Sequence, residues 1–101
     1  MDTINLREYI ESITDSEQVE VVEISLPRGC NRTEVPKEKL CKTVPWHEAR
    51  AWLDFEIKCG HGSEQEDYYL VTAWTPSWVI FTDIHDGKLK VRRMPRHPRC
   101  I

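Results

Sequence analysis

Three groups of side chains in this sequence could do chemistry. The first is a set of thiols and imidazoles. Cys59 and His61 flank Gly60, and Cys30, Cys41 and His47 could complete four ligands. Four such groups in tetrahedral array would hold zinc. Yet no two cysteines are separated by two residues, the spacing of zinc ribbons and fingers. Cys59 also continues an apolar alternation, where a free thiol acts as a small hydrophobe. The same Cys59–His61 pair could supply a nucleophile and a base, but no neighbouring residue signals an oxyanion hole or an orienting carboxylate.

The second group is acidic. Asp54 with Glu56, and Glu64 with Glu66, are carboxylate pairs two residues apart. General acid–base catalysis needs one of a pair raised in pKa within a cleft. A solvated strand face or loop does not supply that. The glycines at 60 and 62 are followed by acids that repel an anion, so no phosphate loop is expected. The expectation is therefore no catalytic residue, no metal, no cofactor and no small-molecule substrate.

The third group is basic. Residues 88–101 carry six basic residues and no acid. The rest of the chain carries 8 basic and 17 acidic residues, a net of −9. Arg92, Arg93, Arg96 and Arg99 could neutralise phosphates. No aromatic residue interleaves with them to stack bases, and the acidic body opposes a polyanion. Nucleic acid is thus the disfavoured partner, and a basic protein the favoured one. The four tryptophans sharpen that view, because tryptophan in a small domain is either core or an interface anchor. Trp74, inside an apolar run, is expected in the core. Trp46, Trp52 and Trp78 sit beside polar or turn residues and are expected to be partly exposed.

The elements that must position these groups follow from periodicity. Leu6, Tyr9, Ile10 and Ile13 form one helical stripe over residues 5–13, with Asn5 as cap and Glu8 three residues on. Residues 18–26 read as a strand that Pro27 ends. Residues 27–45 are irregular, with a helical turn allowed at 36–40 after Pro36. Residues 46–50 fit a helix or a strand entry. Leu53, Phe55, Ile57 and Cys59 alternate with Asp54, Glu56 and Lys58, the mark of a half-buried strand. Residues 68–74 are apolar on both faces and read as a strand covered on both sides. These two runs are expected to pair as a hairpin across the acidic loop. Residues 78–82 are another strand. Asp86-Gly87 signals a two-residue turn, and residues 88–92 return as an edge strand guarded by lysine and arginine. From Met94 on, an extended tail is expected.

Length bounds the rest. A chain of 101 residues suggests one domain, 1–101, with the basic edge strand and tail at 88–101. No apolar run approaches the roughly 20 residues of a membrane span, and no signal peptide opens the chain, so a cytoplasmic protein with reduced thiols is expected. The fold class is α+β: an N-terminal helix packed on a mostly antiparallel sheet of about five strands.

The central block resembles the Immunity protein 8 family of bacterial polymorphic toxin systems. The matching residues are the strand Leu53-Asp54-Phe55-Glu56-Ile57, the acidic loop from Gly60 to Glu66, the aromatic strand 68–74, and the corner Thr75-Pro76-Ser77-Trp78 with Val79 behind it. The similarity covers residues 50–80. It implies a small antidote that binds the toxic domain of a sister protein without catalysis. Such toxins are often basic nucleases, which suits the acidic body. The contact residues expected on exposure grounds are Glu64, Glu66, Asp67, Asp83 and Asp86, with Trp46 and Trp78 as anchors. A different class also fits the sequence: a nucleic-acid-associated regulator working through residues 88–99.

Overall fold

The helix starts where its cap is strongest. In the computed structural model, which describes residues 3–26, 32–58, 69–85 and 88–96, Asn5 Oδ1 accepts the Glu8 N–H at 3.0 Å. Helix α1 then runs Leu6–Ser12 and buries Leu6 and Ile10. Burying one such aliphatic side chain contributes about 1.5–3 kcal/mol.

Seven strands are described: β1 Thr3–Asn5, β2 Val21–Ser25, β3 Thr43–Pro45, β4 Glu56–Lys58, β5 Leu70–Trp74, β6 Trp78–His85 and β7 Lys88–Pro95. Five of them form an antiparallel sheet in the order β3-β2-β5-β6-β7. The fold is thus α+β, with the N-terminal helix against a five-stranded sheet. A short helix α2, Trp46–Ala49, and a 3₁₀ turn, Lys37–Lys39, fill the connections. No helix among the described residues is long and apolar enough to cross a membrane.

Strand alternation sorts the sheet into two faces. Val44, Val22, Ala73 and Ile80 lie in one row across four strands, and each is at most 3 % exposed. With Ile24, Val71 and Val91 they meet Leu6, Ile10, Leu53, Trp46 and Ala49 from the helix side.

Three expectations fail here. The strand that contains Phe55 and Ile57 does not pair with β5. Its regular part, β4, pairs with β1 in a separate two-stranded sheet, while β5 lies between β2 and β6. Periodicity marks a strand but not its partner. Second, β5 is covered on one face only, since Leu70 is 40 % exposed and Thr72 and Trp74 are half-buried. Third, Met94 and Pro95 belong to β7, not to a tail. The edge position of β7 and the turn spacing are as expected: His85 pairs with Lys88, so residues 86–87 join the two strands. Residues 86–87 themselves lie outside the described residues.

Two side-chain clamps hold distant segments to this frame. Glu17 Oε1 accepts the Thr75 hydroxyl at 2.6 Å and the Ser77 N–H at 2.9 Å. The bonds from Ser77 and Thr75 hold the Glu17 carboxyl below its ordinary pKa. Tyr69, 1 % exposed, donates its hydroxyl to Glu34 at 3.1 Å and accepts the Val35 N–H at 3.0 Å. Burial, with the nearby Glu34 carboxylate, pushes that hydroxyl's pKa up.

Both clamps yield measurable effects. A carboxyl with a depressed folded pKa stabilises the fold fully above its unfolded value of about 4.3, and loses that contribution as pH falls through the folded value. Glu17→Gln will therefore lower Tm at neutral pH and flatten the acid limb of the Tm–pH curve. An unchanged acid limb removes Glu17 as its source. Tyr69→Phe leaves the buried Val35 N–H without its acceptor and will cost about 1–3 kcal/mol, read as a lower urea midpoint at constant slope.

Candidate functional site

Residues 8–23 hold six carboxylates and no lysine or arginine. The first three sit on or just beyond α1: Glu8 and Glu11 in the helix, and Asp15 after it. The chain turns sharply there, since Asp15 and Ser16 both have positive φ, 57° and 68°. Such angles are uncommon for residues with a Cβ. The turn delivers Glu17 to the Thr75-Ser77 corner, bonded as above.

Arg7 is the cation that α1 itself sets among its acids. It lies 2.8 Å from Glu11 and 3.7 Å from both Glu8 and Asp54. Glu11 serves several donors: its Oε1 takes Arg7, and its Oε2 takes the Trp46 Nε1–H at 3.2 Å. Arg50 stands off at 3.9 Å. Between α1, the turn and α2 lies an open cleft of about 370 Å³, lined among others by Glu11, Ser16, Glu17, Trp46, His47 and Arg50. Glu17, held ionised, can accept basic donors and does not suit a proton-donor role.

The expected contact residues scatter. Glu64, Glu66, Asp67 and Asp86 lie outside the described residues, as do Cys30, Cys59 and His61. Trp46 is 5 % exposed and packs in the core, so it presents no open ring to a partner. Its position after Pro45 looked like a surface turn, but α2 rolls the indole inward onto Glu11. Trp78 is half-buried beneath the Arg93 guanidinium, 4.0 Å from the ring centroid. Trp74 was the tryptophan expected inside, yet it is half-buried on the face away from the core. Asp83 holds Arg92 Nε at 2.7 Å. Cys41 and His47 are both exposed, and no group of potential metal ligands occurs among the described residues.

Among the described cations of the basic end, the arginines are already engaged. Arg92 is held by Asp83. Arg93 covers Trp78 and donates to the Ile13 carbonyl at 3.1 Å. Arg96 donates to Glu20 at 2.9 Å and to the Thr75 carbonyl at 2.8 Å. These arginines bind their own chain, closing β7 against the corner and against α1. The contacts of Glu11 with Trp46, of Glu17 with Thr75 and Ser77, and of Arg96 with Glu20 escape a local reading of the sequence, because these partners lie far along the chain. Only the uninterrupted acidity of residues 8–23 marks the region.

Comparison with protein-family models, with curated proteins and with solved structures finds no match to this chain.

Proposed function

We propose that this chain is a non-catalytic protein inhibitor, an immunity protein that binds and neutralises a basic, nuclease-type bacterial toxin domain. One observation carries the proposal: the opposite orientation of its charges. Glu8 and Asp15 point outward on the helix side, with the Glu8 side chain 69 % exposed. The arginines of the described basic segment are instead engaged by their own chain. What the molecule shows a partner on that side is negative, with the Glu11–Glu17 cleft at its centre. A negative face steers a basic partner and speeds encounter.

The same observation weakens the nucleic-acid alternative, because phosphate contacts require free cations. The resemblance to immunity proteins in residues 50–80, above all the corner Thr75-Pro76-Ser77-Trp78, also supports the proposal. The acidic residues Glu64, Glu66, Asp67 and Asp86 belong to it as further contact charges.

The test has two stages. Tagged chain is used to capture partners from source cells at moderate salt, with mass spectrometry of the eluate. A near-stoichiometric basic toxin domain is the expected result; nucleic acid alone, released by rising salt, overturns the proposal. With the captured domain in hand, Glu8→Lys with Asp15→Lys will slow association about tenfold at low salt, and the difference will fade as salt rises. Association rates unmoved by this double reversal remove the helix-side face from the interface.

A further inference from the structure

The sheet's second face poses a separate question. One row across all five strands is apolar from end to end: Pro45, Val21, Trp74, Val79 and Met94. The next row is Thr43, Glu23, Thr72, Phe81 and Arg92. Beyond it, Leu70 stands beside Ser25, and Asp83 beside Lys90. Met94 is 51 % exposed and Leu70 40 %. None of these side chains belongs to the core cluster or packs against it. A contiguous apolar surface of this kind marks an association site.

We infer that this face is the interface of a two-fold homodimer, the sheet of one copy packed on the same face of a second. Size permits it. The strands of the sheet have three, five, five, eight and eight residues, and at about 4.8 Å spacing and about 3.4 Å per residue they give a projected area on the order of 500 Å². Side-chain relief raises this toward the roughly 800 Å² per partner of a standard interface.

Charge selects both the partner and the symmetry axis. On this face β2, next to the β3 edge, carries Glu23, and the β7 edge carries Lys90. Neither has an ion-pair partner among the described residues, whereas Arg92 is already paired with Asp83. An axis across the strands would stack each strand on its own copy and keep Glu23 three strands away from the partner's Lys90. An axis along the strands, through the central β5, instead lays β7 of each copy over the β2–β3 edge of the other. Lys90 then comes within one strand and one row of the partner's Glu23, twice over by symmetry, and Trp74 on the central strand packs on its own symmetry mate. An isologous contact of this kind closes on itself and leaves α1 and the acidic face outward on both copies.

Sedimentation equilibrium over a concentration series, on the whole chain, tests this. Wild type is expected at twice its 11.9 kDa mass. Met94→Lys, at an exposed position, is expected at the single mass with unchanged far-UV circular dichroism. Glu23→Lys will weaken the dimer about tenfold, and Glu23→Lys combined with Lys90→Glu will restore it. A wild-type chain that stays at 11.9 kDa up to about 200 µM overturns the inference. So does a dimer indifferent to both Met94→Lys and Glu23→Lys.

Discussion

One carboxylate joins two parts of the chain that are 58 residues apart. Glu17 takes the Thr75 hydroxyl and the Ser77 N–H, and the same Thr75 Oγ1 accepts the Trp78 N–H at 2.9 Å. Thr75 N–H closes the corner onto the Trp78 carbonyl, also at 2.9 Å. This corner turns β5 into β6 and so sets which residues of β6 face the core. Arg96 then ties the end of β7 to the corner through the carbonyls of Ser77 and Thr75. Glu20 N–H bonds the Trp74 carbonyl, and Trp46 N–H bonds the Glu20 carbonyl, which carries the constraint on to α2. The positive-φ turn at Asp15 and Ser16 brings Glu17 to this position. Its backbone cost is offset by the bonds it makes possible.

The two sides of the sheet have different tasks because the described residues cover only one of them. α1 and α2 spend their apolar side chains on the inner face, which leaves their polar sides outward, with Glu8 and Glu11 on α1. No helix follows β6 or β7 among the described residues, and the outer face keeps its apolar row. A partner of opposite charge on the helix side and a second copy on the sheet side do not compete. The two associations rest on different physics: long-range attraction for the first, and area buried from water for the second.

Local signals in the sequence were sound where the structure is local. The Asn5 cap, the Leu6–Ile10 stripe and the β6–β7 hairpin with its charged edge all depend on residues close in sequence. Pairing of β4 with β1 depends on two three-residue strands some 50 positions apart, and no periodicity links them. Trp46 and Trp74 depart from expectation for a related reason, whereas Trp52 and Trp78 are half-buried, in line with it. A run such as 68–74 records that a strand is apolar on two faces, not that something covers both. Trp46 follows a proline, but its burial is decided by Glu11, 35 residues earlier. Glu17 had no signature beyond the acidity of residues 8–23, since a glutamate in a turn looks solvated until its partners fold onto it.

The most direct measurement is amide hydrogen exchange on the chain with and without the protein partner it captures. If the acidic helix side is the binding face, exchange will slow in residues 6–20 and 46–50 and stay unchanged across 88–96. Slowing confined to 88–96, or produced by nucleic acid in place of a protein, would contradict that assignment and move the function to the basic edge.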